Sequence, residues 1–232
     1  MSATSRLRSA SLRGGGNLTI GVLALQGAFR EHIAHLASLG EEPRRVRTAD
    51  NLTGLDGIIL PGGESTAMAR LLLDTGLLQP LHDAIVDGLP VWGTCAGLIL
   101  LAKDIIGDGA IVGSHTAAKD AVSHSAPPAR LALMDITVRR NAYGRQLGSF
   151  STSALVPAVS DAPIKMVFIR APYIESAGPS VDILARVDGR IVAAREGHML
   201  ATSFHPELTD DLAFHRYFAH LCHARTSAAR SA

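Results

Sequence analysis

The chain has 232 residues, of which 47% are hydrophobic, enough to bury the core of one large α/β domain. Lys and Arg number 22 against 21 Asp and Glu, a balance that excludes the basic surface expected of a nucleic-acid or anionic-membrane binder. No apolar run approaches the roughly 20 residues that span a bilayer. Because the charges balance, we expect a small ligand. The two cysteines do not suggest a disulfide scaffold, so we expect free thiols and a cytoplasmic location.

The composition along the chain predicts one domain between two short tails. Residues 1–16 are rich in Ser, Arg and Gly and predict a disordered N-terminal extension, with an organelle transit peptide as the alternative. Residues 17–225 form the domain and residues 226–232 a C-terminal tail. Within the domain, residues 107–130 are small, polar and interrupted by Pro and Gly, which favours a surface insertion or mobile loop.

The domain begins with alternating strand and helix patterns. "LTIGVLAL" predicts a first strand, and "AFREHIAHLASLG" predicts a helix that buries Phe29, Ile33, Leu36 and Ala37. "RRVRT" predicts a second strand. This alternation is typical of right-handed βαβ units, so we expect a flavodoxin-like three-layer α/β/α domain with a mainly parallel sheet.

The next elements lead to a cysteine at the end of a strand. "LDGIIL" predicts a buried strand, followed by the helix "AMARLLLDTGLL", which Ser65 or Thr66 would cap. "PLHDAIVDG" predicts another helix, "LPVWGTC" a strand and "AGLILLAKDI" a helix. Cys95 therefore lies at a strand-to-helix junction, on the sheet edge where open α/β sheets bind ligands.

Beyond the insertion, the patterns are mostly those of strands. A hairpin turn is predicted at "VDGR" because of its Asp-Gly pair, and a final helix at "DDLAFHRYFAHLCHA". The strand-like runs are "LALMDITVRR", "KMVFIRAPYI", "DILARV", "RIVAAREG" and "MLATSFH".

The segment from Gly93 to Gly97 fits a nucleophile elbow, a tight turn with small residues on both sides of the nucleophile. The Cys95 sulfur would lie at a helix N-terminus, where the dipole and free N–H groups favour a thiolate. The Ala96 N–H could donate to an oxyanion. The alternative for Cys95 is a buried structural thiol.

A thiolate nucleophile needs a base, and the base needs a group that holds its tautomer. His205 and Glu207 in "SFHPE" are two residues apart, so in an extended segment their side chains would project to the same side, with Pro206 stiffening the backbone. The alternative is a surface histidine beside a turn.

Three other patterns bear on the chemistry of the chain. The N–H groups of "PGGEST" could complete an oxyanion hole, whereas a phosphate loop is disfavoured because the Gly-Lys-Ser/Thr ending is missing. Arg140 and Arg170, near strand ends, could meet a substrate carboxylate. The "HLCH" run from His220 to His223 lacks a second ligand pair, so we expect no metal site and no cofactor.

Six motifs together resemble one family, the glutaminase subunits of pyridoxal 5′-phosphate synthase, which are class I glutamine amidotransferases. They occur in family order from about residue 19 to the last helix. The motifs are "GVLALQGAFREH", "LPGGEST", "GTCAGLILLA", "RRNAYGRQ", "VFIRAP" and "SFHPELT".

The resemblance implies hydrolysis of L-glutamine to glutamate and ammonia through a γ-glutamyl thioester. By this resemblance, Cys95 matches the family's nucleophile, His205 matches its base, and Glu207 matches the group that orients the base. The oxyanion donors expected beside them are Gly63 and Ala96. The positions that match the family's glutamine contacts are Gly63, Glu64, Ser65, Arg140, Ile169 and Arg170.

The resemblance also implies a partner, a (β/α)₈-barrel synthase subunit that receives the ammonia, in a complex of twelve copies of each chain. Two other interpretations stay open at this point. The chain could serve a different synthase as its glutaminase, or it could be a catalytically silent scaffold subunit that keeps the elbow for packing.

Overall fold

The computed structural model describes residues 17–107, 110–113, 130–140 and 148–230. The predicted extension 1–16 and most of the predicted insertion 107–130 lie outside the described residues. The first part of the chain contains β1 (Thr19–Leu23), α1 (Phe29–Ser38), β2 (Glu42–Val46), a 3₁₀ turn (Ala49–Leu52), β3 (Gly57–Leu60), α2 (Ser65–Asp74), α3 (Leu78–Val86), β4 (Val91–Thr94) and α4 (Ala96–Leu101).

Strands dominate the second part of the chain. They are β5 (Ala102–Gly107), β6 (Ala110–Gly113), β7 (Met134–Arg139), β8 (Ser149–Val156), β9 (Ser160–Ile169), β10 (Tyr173–Ala177), β11 (Asp182–Val187), β12 (Arg190–Glu196) and β13 (Met199–Thr202). A 3₁₀ turn (Pro206–Leu208) and the helix α5 (Ala213–Arg230) follow. None of the described helices has the length and apolar character needed to cross a membrane.

The main sheet has the strand order β2-β1-β3-β4-β13-β12-β10-β7-β5-β6, with β11 paired to β12. Its first five strands are all parallel, in the flavodoxin-like order. Beyond β13 the pairings are antiparallel except between β5 and β7. The predicted α/β class is confirmed, and the sheet is parallel where it carries Cys95 and mixed beyond.

Alternate residues of the central strands point into two separate cores. Ile58, Leu60 and Val91 belong to the core on one face of the sheet. Ile59 and Trp92 belong to the core on the other. Helices cover both faces, which makes the three predicted layers and explains the continuous apolar runs of β3 and β4. The helix residues buried on the first face include Met68, Leu72, Leu81 and Leu98, and those on the second include Leu36, Phe214 and Phe218.

Several element boundaries differ from those predicted. The helix after Cys95 ends at Leu101 instead of continuing to 105, because residues 102–107 pair with β6 and β7 as a strand. Part of the predicted loop, residues 110–113, is that partner strand. The last helix continues to Arg230, past the predicted domain end at 225.

The predicted strand "KMVFIRAPYI" is two strands in two different sheets. β9 ends at Ile169 and pairs only with β8, a strand that the patterns did not predict, whereas β10 begins at Tyr173 in the main sheet. The break falls at Arg170, whose φ is 42°, and just before Pro172, which has no N–H for a ladder. The predicted "VDGR" turn is confirmed, since Asp188 and Gly189 both have positive φ between β11 and β12.

Candidate active site

The parallel pairing of β4 and β13 places the two predicted halves of the site at one sheet edge. Thr94 and Thr202, the last residues of these strands, are register partners. Cys95 follows the first directly, and His205 follows the second after two residues. Because the carboxyl ends of parallel strands meet at the same edge, nucleophile and base converge across 110 positions of sequence.

Cys95 occupies the tight turn that the elbow pattern predicts. Its φ is 48° and its ψ is −96°, a backbone conformation that L residues rarely adopt. A Cβ on Gly93 would lie 2.5 Å from the backbone of Gly97, and a Cβ on Gly97 would lie 2.1 Å from the carbonyl oxygen of Leu60. Only glycine fits at both positions, so the turn is held by close backbone packing.

His205 and Glu207 are in contact, as predicted, but through a different backbone geometry. Nδ1 of His205 lies 2.7 Å from Oε1 of Glu207. The segment is not extended. A 3₁₀ turn begins at Pro206, and its curvature brings Glu207 back toward the imidazole. Both side chains are buried, so the contact is shielded from water.

The environment of His205 favours its protonated form. Burial opposes a charge on the ring, but the Cys95 sulfur and the Glu207 carboxylate outweigh it and raise the pKa of His205 to about 10. The Cys95 sulfur is within hydrogen-bonding reach of the imidazole. This arrangement suits a thiolate–imidazolium pair, the reactive form of a cysteine nucleophile.

The "PGGEST" turn is held against the loop that follows β1. The Gly62 carbonyl accepts from the Ala28 N–H at 3.1 Å. The side chain of Gln26 donates to the Glu64 carbonyl at 2.6 Å. Gly27 allows this approach, since its φ is 87° and a Cβ there would lie 1.9 Å from the Gly62 oxygen. The turn containing Gly63 is therefore fixed by residues far away in sequence.

Glu64, rather than Ser65 or Thr66, caps the helix α2. Its carboxylate accepts from the N–H groups of Thr66 at 3.0 Å and Ala67 at 2.6 Å. Burial opposes ionisation of Glu64, but these N–H groups and nearby Arg140 lower its pKa. A longer side chain takes the cap because Ser65 is already inside the helix and buried.

Arg140 is brought next to this turn from the end of β7. Its Nη2 lies 3.3 Å from Thr66 Oγ1 and 3.6 Å from Glu64 Oε1. Glu64, Ser65 and Arg140, predicted as one set of ligand contacts, therefore lie together. The side chain of Arg140 is 30% exposed, which leaves part of its guanidinium open to a ligand.

Ile169 and Arg170 lie at the end of β9, whose backbone contacts the segment that carries His205. The Val167 carbonyl accepts from the His205 N–H at 2.8 Å. Ile169 is 39% exposed and Arg170 is exposed. The structure thus places both residues at the end of a strand that is hydrogen-bonded to the segment of His205.

Two buried histidines beside the site were not predicted. His32 of α1 and His215 of α5 are fully buried, with His32 Nδ1 2.9 Å from His215 Nε2. The helical pattern placed Ala37 on the buried face of α1, but Ala37 is exposed and His32 takes that face with Leu36. In the sequence, the signal for a buried His32 is its position four residues before Leu36, on the same face of the helix. A histidine on the protein surface can have the same spacing.

The "HLCH" run serves packing in the described structure. Cys222 is buried against Gly57, and His223 Nε2 lies 3.6 Å from Glu41 Oε1. Within the described ranges, no three His, Cys, Asp or Glu side chains come close enough together to hold a metal ion.

The fold places the chain in the glutamine amidotransferase class. A crystal structure described as a glutamine amidotransferase is 41% identical to this chain, with a TM-score of 0.76, covering 88% of this chain and 98% of the other. A putative GMP synthase protein from Thermoplasma acidophilum shares the fold, with a TM-score of 0.62 at 17% identity over 94% of this chain and 100% of the other.

Sequence comparison narrows this class to one family. A protein from Carboxydothermus hydrogenoformans is 51% identical over 87% of this chain and 96% of its own length. One from Streptococcus pneumoniae is 52% identical over 88% and 97%. Both are named pyridoxal 5′-phosphate synthase subunit PdxT. Residues 22–224 match the SNO glutamine amidotransferase family, and the chain belongs to it.

Proposed function

We propose that the chain is the glutaminase subunit of a pyridoxal 5′-phosphate synthase and converts L-glutamine and water to L-glutamate and ammonia. The observation that carries the proposal is the cysteine elbow facing His205, which Glu207 holds at 2.7 Å. Relatives about 50% identical to this chain are named subunits of pyridoxal 5′-phosphate synthase, and these names support the assignment to that synthase.

In the first half of the reaction, the proton of the Cys95 thiol already resides on His205, in the thiolate–imidazolium pair described above. The thiolate adds to the side-chain amide carbon of glutamine, and a negative charge develops on the amide oxygen. The N–H groups of Gly63 and Ala96 stabilise this oxyanion. Ala96 is the first residue of α4, so its N–H has no acceptor within the helix.

The C–N bond then breaks as His205 donates its proton to the leaving nitrogen, which departs as ammonia. In the second half, His205 accepts a proton from water while the water oxygen adds to the thioester carbon. The C–S bond breaks, glutamate leaves, and the thiolate–imidazolium pair is restored with the proton from water on His205. Glu207 accepts the Nδ1–H of His205, so Nε2 is the nitrogen that loses and gains the proton in these steps.

Glutamine is held by groups on both sides of the elbow. The Gly63 to Ser65 turn and Arg140 form one side, and Ile169 with Arg170 forms the other. The two arginines suit the α-carboxylate, since guanidinium binds carboxylates with paired hydrogen bonds. This assignment is supported by the placement of Arg140 beside Glu64 and of β9 beside His205.

The ammonia acceptor is a separate synthase subunit. We propose that it is a (β/α)₈ barrel and that twelve copies of each chain form the complex. The relatives' name, synthase subunit, supports a partner, and the barrel and the stoichiometry follow from the family resemblance of the motifs.

The test is glutamate formation from glutamine with and without the synthase subunit. We expect formation to rise strongly when the synthase is present, and the two chains to elute together at the mass of a 12+12 complex. No glutamate under either condition, despite tight association, would instead favour a silent scaffold subunit. Activity only with a synthase of another pathway would reassign the partner.

A further inference from the structure

The second carboxylate oxygen of Glu207 is buried and faces a histidine outside the proposed triad. Oε1 is occupied by His205, but Oε2 accepts no hydrogen bond of ordinary geometry from the described residues. Nε2 of His32 lies 3.4 Å from this oxygen, and both side chains are fully buried. Because an ionised oxygen without a donor is costly to bury, a donor belongs at this position.

His32 is itself held by a second histidine. Its Nδ1 lies 2.9 Å from Nε2 of His215, whose ring packs edge-on against Trp92 and His35. Burial, with smaller contributions from neighbouring histidines, lowers the pKa of His32 well below its usual value and that of His215 to about 3. Both rings are therefore neutral at physiological pH, and each has one N–H and one lone pair.

Hydrogen bonding then selects one pair of tautomers. If Nε2 of His215 donates to Nδ1 of His32, the N–H of His32 is on Nε2 and faces Glu207. Nδ1 of His215, which has no partner among the described residues, then carries only a lone pair. The reverse assignment would leave a buried N–H on His215 unpaired and would turn a His32 lone pair toward a carboxylate, which is worse on both counts.

We propose that His32, oriented by His215, is a positioning residue that donates its Nε2–H to Oε2 of Glu207. Thr94 Oγ1, 3.4 Å from the same nitrogen, is its neighbour at the end of β4. The donation fixes the carboxylate so that Oε1 keeps its contact with His205 when that ring becomes an imidazolium. Helices α1 and α5 thus support the base from behind the sheet edge. The inference rests on the glutaminase function proposed above.

The first experiment compares His32→Phe with His32→Gln in the complex with the synthase. Phenylalanine keeps the ring volume but removes the donor, so we expect kcat to fall about tenfold, the usual effect of losing one hydrogen bond to a charged group. KM should stay within about twofold, since His32 does not contact the proposed glutamine site. Glutamine places an amide N–H near the lost Nε2–H and should restore most of kcat.

A double-mutant cycle separates positioning from packing. If His32 acts through Glu207, adding His32→Phe to Glu207→Gln should lower kcat by less than about twofold further. A full tenfold loss in that background would overturn the proposal, because a packing defect would act independently of the carboxylate. Circular dichroism and urea midpoints identify variants that do not fold. If His32→Phe does not fold, His215→Phe takes its place in the test. An unchanged kcat in His215→Phe would then contradict the proposal.

Alkylation of Cys95 by iodoacetamide separates this inference from the proposed function. In the full chain without synthase, the rate against pH reports the thiolate–imidazolium pair and requires no turnover. We expect His32→Phe, but not His32→Gln, to move the midpoint of this profile about one unit higher. Identical profiles in all three proteins would overturn the positioning role. If the midpoint moves in His32→Phe as expected but the wild type with synthase forms no glutamate, the result counts against the glutaminase proposal alone.

Discussion

The backbone N–H of Cys95 donates to the carbonyl oxygen of Thr202 at 2.8 Å. This bond continues the β4–β13 ladder beyond the end of β4 and into the elbow, so Cys95 is tied to the strand that leads to His205. It also occupies the Cys95 N–H, which is why the proposed oxyanion donor of the elbow is the Ala96 N–H.

The two cysteines provide a matched pair of substitutions. We expect Cys95→Ala to abolish glutamate formation, whereas Cys222→Ala should keep kcat and lose only about 1 kcal/mol of stability through the smaller side chain. Cys222 is buried against Gly57 at the start of β3, whereas Cys95 follows the end of β4, the parallel strand beside it. Initial rates with the synthase and urea unfolding measure the two effects. Full activity in Cys95→Ala would rule out the proposed thioester mechanism.

Glu207→Gln should reduce kcat by less than Cys95→Ala does. The amide keeps the size of the side chain but loses the charge that stabilises the His205 imidazolium, and we expect a loss on the order of 10²- to 10⁴-fold. Single-turnover rates of thioester formation measure this directly. A loss equal to that of Cys95→Ala would show that the carboxylate does more than orient and stabilise the base.

Gly62→Ala should impair the base by displacing its ring. The new Cβ would lie 2.3 Å from Cε1 and 2.7 Å from Nδ1 of His205, so the ring must move, and displacement of this size costs kcat about a hundredfold. Gly148→Ala is the control, because among the described residues its Cβ would meet nothing nearer than Arg170 Cγ, at an ordinary contact distance of 3.8 Å. Similar kcat values for the two variants would show that His205 can relax without loss.

Glu64 caps α2, and two substitutions can separate this cap from the glutamine contact proposed for the same side chain. Glu64→Ala removes the cap of α2 and should cost about 1 kcal/mol of stability as well as raising KM for glutamine. Glu64→Ser keeps a capping oxygen, so stability should recover while KM stays high. If KM is normal in both variants, the side chain of Glu64 does not contact glutamine.

The buried histidines make stability depend on pH. His215 binds a proton near pH 6.5 in the unfolded chain but only near pH 3 when folded, so unfolding takes up a proton between these values. Its contribution is complete above pH 6.5 and decreases as the pH falls, by about 2 kcal/mol from pH 6.5 to 5. Burial acts on His32 in the same direction.

Urea unfolding between pH 7 and 5 measures this dependence. His215→Phe should flatten the decline in the free energy of unfolding with falling pH, whereas Cys222→Ala should keep the slope, because burial raises the pKa of the Cys222 thiol and the thiol stays neutral over this range. If the free energy of unfolding declines equally steeply in the wild type and in His215→Phe, then His215 takes up its proton over the same pH range in the folded and the unfolded chain, and its burial does not account for the decline.

Local patterns predicted the elements closest to the site. The apolar runs of β3 and β4 and the glycines around Cys95 each reflect a constraint within a few residues, and the structure retains them. The extent of the helix after Cys95 and the separate β8–β9 hairpin were not predicted. Strand pairing there depends on partners far along the chain, so an apolar segment such as residues 98–106 has no local signal for where helix gives way to strand.

The sequence by itself determined the α/β class, the elbow at Cys95 and the pairing of His205 with Glu207, because these depend on period, small residues and short spacing. Only the tertiary structure decided that a 3₁₀ turn makes that pairing and that His32 and His215, 183 positions apart, meet behind it. A histidine on a helix has the same local pattern whether it faces water or a buried carboxylate. The difference arises only when α1 and α5 pack on one face of the sheet.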